Sequence, residues 1–235
     1  MRALAIVHQR DAGPGVFADA ARASRVELES WVPAESDSPP RALGAYDAVM
    51  IFGGAMHADQ EERHPWLHDE KVLLRDLLER RTPLLGVCLG AQLLAEAAGA
   101  PPRRAREPEI GWYEVEVTEA GARDPLLADL APRFEAFQWH SYEFPLPPRA
   151  TALAKSPACL QAYRVEDSAW GIQFHAEVTC EDAEAWIDDY RSDEDAVRMK
   201  IDPDALRLRT RELIPCWNAL GRGVCERFLE SATRA

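Results

Sequence analysis

The chain has 235 residues, 47% of them hydrophobic, which is enough to bury a core and argues against disorder. Its 27 basic residues face 40 acidic ones, and the formal charge of −13 gives no electrostatic support for binding nucleic acid or anionic lipid. No apolar run approaches the ~18–20 residues of a membrane helix. Residues 1–10 lack a signal-peptide pattern, and the five cysteines show no CxxC, so a cytoplasmic protein with reduced thiols and no structural zinc is expected.

In chain order, residues 3–8 form a short apolar run of the buried-strand type. A helix is predicted over 16–23, and residues 26–32 alternate with the period of a strand. Residues 46–52 (YDAVMIF) read as another buried strand, ended by Gly53-Gly54. Pro65 opens a helix with Trp66, Leu73 and Leu77 on one stripe, residues 82–87 return to strand, and 89–98 form a helix stopped by Gly99 and Pro101. Such alternation implies a mainly parallel central sheet with helices on both faces.

Beyond Pro108 the texture changes to strands at 112–118, 133–138, 151–154, 160–165 and 169–174, some of them antiparallel additions to the sheet. The tail is helical in pattern. Thr179 can cap a helix carrying Trp186, Ile187 and Tyr190, and Asp202-Pro203 reads as N-cap then N1. Leu206, Leu213, Trp217, Leu220, Val224 and Phe228 make one apolar stripe, in which Pro215 predicts a kink or a break into two helices. Residues 1–179 are thus expected to form an α/β domain, with 180–235 a helical C-terminal extension packed on it.

Gly86-Val87-Cys88-Leu89-Gly90 lies where a strand meets a helix. A nucleophile on that tight turn stands at the sheet's C-terminal edge, where helix dipoles favour a thiolate. The Leu89 N–H would point to a developing oxyanion. The competing reading is a small buried thiol. A base is available in Gln173-Phe174-His175-Ala176-Glu177, where strand periodicity puts His175 and Glu177 on one face, so that the carboxylate can hold the imidazole. Gly53-Gly54 would let backbone approach a ligand, or be an ordinary turn.

Phe52-Gly53-Gly54, Gly86–Ala95 (GVCLGAQLLA) and Gln173–Glu177 (QFHAE), in this order, resemble the class I (triad) glutamine amidotransferases, above all free-standing domains similar to the amidotransferase part of GMP synthetase. Gly53-Gly54-Ala55-Met56, Pro65-Trp66-Leu67, Glu109–Trp112 and Gln138–Ser141 add to the resemblance, which runs from about Ile6 to Glu177. It implies a flavodoxin-like fold and a Cys88–His175–Glu177 triad. Gly54 and Leu89 would supply the oxyanion amides, and Gly53 would contact the substrate. Gln92 and the segment Trp139-His140-Ser141-Tyr142 would hold substrate. The implied reaction is hydrolysis of glutamine's side-chain amide through a γ-glutamyl thioester, with no cofactor and no metal. Ala55, Ala91 and Ala176 depart from the family's usual residues around the pocket. The alternatives are a γ-glutamyl peptidase acting on glutathione-like substrates, or a catalytically silent regulatory subunit.

Other features are weaker. His64 and His68 lie four apart, with His57 and Asp59 upstream and Asp69 and Glu70 as a conceivable third ligand, but no HExxH-type base or second cluster accompanies them, and a solvated face is the simpler reading; His57 could line the pocket mouth. The acidic residues of 181–195 read as solvent-facing surface. Cys159, Cys180, Cys216 and Cys225 have no histidine at a suggestive position. There is no GxxxxGK[ST] and only Lys71, Lys155 and Lys200 as lysines, so any ammonia acceptor would be a separate synthetase protein.

Overall fold

A computed structural model describes residues 1–36 and 38–233. Nine strands form one sheet in the order β2-β1-β3-β4-β9-β8-β7-β5-β6. The strands β1 (Arg2–Ile6), β2 (Glu27–Trp31), β3 (Ala48–Ile51), β4 (Leu84–Val87) and β9 (Ala169–Ile172) run parallel. The strands β5 (Arg103–Val117), β6 (Arg133–Glu143), β7 (Ala150–Lys155) and β8 (Leu160–Val165) add an antiparallel half. β5 and β6 extend well beyond the predicted spans, because Arg103 and Arg104 pair with Glu143 and Tyr142 across a bulge before Glu109. The sheet curls: past β9, the His175 N–H donates to Phe137 O of the far strand β6 at 2.9 Å.

The parallel half is covered on both faces, and its strands show why. Ala3, Ala5, Ala48, Met50 and Leu85 belong to one buried cluster, whereas Leu4, Ile6, Val49, Ile51 and Leu84 belong to another. Alternate side chains therefore point to opposite faces, both dry, and the strands read as unbroken apolar runs. The first cluster includes Val16 and Phe17 of α1 (Gly15–Ala23) and Trp217, Val224 and Phe228 of α6 (Pro203–Ala232). The second takes Leu67, Leu74 and Leu77 of α2 (Trp66–Glu79) and Leu93 and Leu94 of α3 (Leu89–Ala97).

The chain from Cys180 supplies α4 (Cys180–Asp188), α5 (Glu194–Arg198) and α6. Thr179 and Asp182 form a reciprocal capping box at α4, and the Asp202 carboxylate accepts from the first amides of α6, ahead of Pro203. Two expectations need correction. Tyr190 lies outside α4, in a separate short turn. Pro215 does not divide α6, which runs unbroken as 30 residues. Pro215 and Arg211 are exposed, so water can solvate the carbonyl that loses its helical donor, while buried Ile214 and Trp217 hold both sides of the turn. Leu220 of the predicted stripe is 37% exposed, and Gly221 is buried in its place. No helix among the described residues is long and apolar enough to cross a membrane.

Candidate active site

Cys88 sits between β4 and α3 with φ 51° and ψ −109°, a conformation costly for any residue with a β-carbon. The strain is held by packing that only glycine allows: a β-carbon at Gly90 would lie 2.1 Å from Ile51 O. Leu89 opens α3, so its N–H is among the amides a helix leaves without an internal partner. The Gly54 N–H likewise has no acceptor among the described residues. Cys88 is buried, and its sulfur lies 3.8 Å from Trp139 O.

His175 lies beyond β9, which stops at Ile172, so its pairing with Glu177 is made in a loop and not along a strand. Its Nδ1 is 2.8 Å from Glu177 Oε1. Its Nε2 is buried beside the Cys88 sulfur, with no geometric hydrogen-bond partner among the described residues. A β-carbon on Gly53 would be 3.2 Å from His175 Cε1 and 3.7 Å from Cys88 Cβ, which puts the two side chains around one point. Burial alone would lower the pKa of His175; Glu177, the Cys88 sulfur and its contacts to both outweigh that and raise it to about 10. These contacts favour the protonated ring.

The loop carrying His175 and Glu177 is held by hydrogen bonds at three carbonyls and by close packing at a fourth. Trp217 Nε1 donates to His175 O at 2.8 Å, and Asn218 Nδ2 donates to Val178 O at 2.7 Å. Between them, the Val16 N–H of α1 donates to Glu177 O at 2.8 Å. Gly221 lies so close that its β-carbon would sit 2.0 Å from Ala176 O. Trp217 stood out in the sequence only as one position of an apolar stripe. Trp186 packs its ring edge-on to His175, centroids 4.8 Å apart.

A second support lies under Gly53-Gly54. His8 is buried, with Nδ1 at 2.9 Å from Phe52 O and 3.2 Å from Gly53 O, and Nε2 at 2.9 Å from Glu70 Oε2. Both ring nitrogens face acceptors, an arrangement that favours the doubly protonated ring. Burial opposes this, but the Glu70 carboxylate and the two carbonyls raise its pKa. No local pattern marks this pair, 62 residues apart.

Two contiguous pockets open at Cys88. The smaller, of about 80 Å³, is lined by Leu89, Gln92, His140, Ser141 and Tyr142 among others. Gln92 gives its amide nitrogen to Tyr142 O and Gln173 Oε1, both at 3.3 Å, and its side-chain oxygen has no hydrogen-bond partner among the described residues. The His140 ring is spent on Glu109 Oε2 and Tyr142 O, whereas the Tyr142 hydroxyl donates to Asp59 and its ring stacks on His57 at 4.3 Å. The larger pocket, of about 480 Å³, holds His175, Trp139 and Trp186 with Asp193, Glu194 and Asp195. The acidic run is thus partly a wall of the cavity and not only solvent-facing surface: Asp193 accepts from Trp139 Nε1 at 2.8 Å, and Asp195 is buried against Arg104 and Arg198. Sequence spacing hid this because α5 folds back to β6.

His64 and His68 do not share a helix, since α2 begins at Trp66. Cys159 does have a histidine near it in space. The fold brings it to His140 and Glu109, with the three potential ligand atoms within 4.8 Å of one another. These groups satisfy each other, Glu109 Oε2 also accepting from Gln161 at 2.6 Å, and burial and Glu109 push the Cys159 thiol up to about 12.

The family model for glutamine amidotransferase class-I matches residues 17–189. The chain belongs to that family. It is 33% identical over 193 residues to the glutamine amidotransferase-like protein YfeJ of Salmonella typhimurium, covering 80% of each chain. It is 34% identical over 145 residues to a subunit of the glutamine-hydrolyzing GMP synthase of Sulfurisphaera tokodaii, covering 60% of this chain and 73% of that one. Over 146 residues it is 30% identical to the gamma-glutamyl-L-1-hydroxyisopropylamide hydrolase of a Pseudomonas species, covering 58% of this chain and 49% of that one. The crystal structure of a glutamine amidotransferase from Thermotoga maritima superposes with a TM-score of 0.88 at 32% identity, covering 98% of both chains. A flavodoxin-like class I amidotransferase fold with a C-terminal helix follows from these matches.

Proposed function

We propose that the protein hydrolyses the γ-amide of glutamine or of a γ-glutamyl compound, with Cys88 as nucleophile. His175 carries the proton and Glu177 holds its ring. The observation that supports this best is the His175 ring itself: Nδ1 is fixed on Glu177 at 2.8 Å, and Nε2 lies beside the Cys88 sulfur with no geometric hydrogen-bond partner among the described residues. The imidazolium stabilises a thiolate, which attacks the amide carbon. Oxygen charge develops towards the amides of Gly54 and Leu89. When the C–N bond breaks, His175 gives its proton to the leaving amine, and the acyl group stays on sulfur. Neutral His175 then takes a proton from water, which attacks the thioester and frees glutamate. The backbone of residues 139–142, with Gly53 and Gln92, holds the glutamyl end. Residues 1–179 carry the reaction, and the chain from Cys180 is an extension that braces it. By analogy with the GMP synthase relatives, the released ammonia passes to a separate synthetase protein.

The test is to incubate the protein with glutamine, glutathione and a γ-glutamyl dipeptide beside its Cys88→Ala variant. Release of ammonia or amine that vanishes in the variant is the expected result. Inertness of the wild type towards all three, with no labelling of Cys88 by a glutamine-like electrophile, overturns the reading in favour of a silent regulatory subunit.

A further inference from the structure

The two pockets flank the reacting sulfur and differ in chemistry. Leu89, Gln92 and Tyr142 line only the smaller one, and His175 and Trp186 only the larger. If His175 protonates the leaving nitrogen, that nitrogen departs into the larger pocket. Ammonia, about the size of water at ~30 Å³, would leave most of its 480 Å³ unused. The cavity has room for an amine with a long substituent.

Its walls specify the charge of that substituent. Five carboxylates line it: Asp11, Asp189, Asp193, Glu194 and Asp195. Only Asp195 is matched by cations, Arg104 and Arg198. Asp193 accepts from the neutral Trp139 indole and from backbone amides, and Asp189 from the Ser192 hydroxyl. Asp11 and Glu194 have no side-chain partner among the described residues, and the one lining cation left unpaired is Arg63. Beside these acids stand the indoles of Trp139 and Trp186, 6.1 Å apart, which suit an alkyl chain and can face an ammonium. Apart from the acids, Nε2 of His175, a residue 2% exposed, is buried beside the Cys88 sulfur with no geometric hydrogen-bond partner among the described residues, and this is where the ligand's amide nitrogen must come.

We propose that the larger pocket is a leaving-group site for cationic amines, so that the preferred substrates are γ-glutamyl amides of diamines or polyamines. The proposal rests on the reading of Cys88 and His175 given above and names the substrate class for it. The bond changes are those of the amide reaction: the C–N bond gives way to C–S, His175 supplies the proton, the free amine departs, and water releases glutamate. The second ammonium stays charged throughout and lies among Asp11, Asp193 and Glu194.

The test compares three L-γ-glutamyl amides of matched length: those of 1,4-diaminobutane, n-pentylamine and 4-aminobutanoate, with glutamine alongside. The expected kcat/KM order is cationic, neutral, anionic, with about threefold or more between the first two, since Asp189 and Glu194 are exposed and Asp11 and Asp193 only partly buried, so that solvent weakens their pull. The preference should shrink as salt rises from 0.05 to 0.5 M, both values being choices of the experiment. In the double variant Asp11→Asn/Glu194→Gln the cationic-to-neutral ratio should fall towards one. Turnover of the neutral or anionic amide as fast as the cationic one, or of glutamine alone, overturns the proposal while leaving the Cys88 reading intact. Inertness towards all four, without a γ-glutamyl thioester trappable by hydroxylamine, overturns both.

Discussion

Trp217 and His175 are joined by a 2.8 Å hydrogen bond from the indole nitrogen to the main-chain carbonyl. The donor sits on the long C-terminal helix and the acceptor on the residue proposed to move the proton, so α6 sets where that imidazole stands. Trp217→Phe keeps most of the buried ring but leaves the carbonyl without its donor, a loss of about 1–3 kcal/mol. We expect kcat for glutamine to fall about tenfold with KM nearly unchanged, since a small misplacement of a proton carrier affects chemistry more than binding. Steady-state kinetics beside a thermal melt checks this; a variant that only melts earlier, with kcat intact, contradicts it.

The pH profile follows from His175. Its pKa in the folded protein is raised from 6.5 to about 10, so the imidazolium is present through neutral pH and is lost as pH rises through about 10. An alkaline limb of kcat/KM near that value is expected. Glu177→Gln removes the carboxylate that holds it there, so the limb should move towards lower pH and the rate should fall less than in Cys88→Ala. A limb that stays in place in Glu177→Gln would show that the carboxylate does not govern the ring.

The His8–Glu70 pair makes a stability prediction. Glu70→Leu leaves a buried imidazolium without its counter-charge and should cost about 3–5 kcal/mol, whereas His8→Phe/Glu70→Leu should recover part of that loss. The folded pKa of His8 is raised above its ordinary 6.5, so its contribution is complete below about 6.5 and disappears as pH rises through the folded value. Denaturant melts of the wild type and the double variant across that range should therefore converge as pH increases.

Gly90→Ala tests the elbow. Its β-carbon would lie 2.1 Å from Ile51 O, backbone that cannot swing aside. A loss of at least about 3 kcal/mol is expected, from forced movement of β3 against α3. A melting temperature close to wild type would mean the junction is looser than its packing implies.

What could be read from the sequence was local. The buried strands around Leu4, Met50 and Leu85 announce themselves as short apolar runs. Cys88, His175 and Glu177 stand in short patterns whose chemistry needs neighbouring residues. The positions that brace them could not be read in this way. His8 meets Glu70 only because β1 lies beside β3 with α2 packed over it. Trp217 looks like any other core position until its nitrogen finds a carbonyl, and Asp193 looks like surface until α5 folds against β6. Cys159 likewise has no histidine near it in the chain, and His140 reaches it only through the β5–β6 register that pairs Glu109 with His140. Pro215 misled for the opposite reason: a local rule was overruled by burial on both sides of it.

The His8–Glu70 pair beneath Gly53 and Gly54 has a further effect. It forms a buried dipole whose positive pole is bonded to the very carbonyls that precede the Gly54 amide. Polarising those peptide groups makes the neighbouring amide a better donor, so a pair that no substrate can touch strengthens the cradle in which an alkoxide-like oxygen would rest.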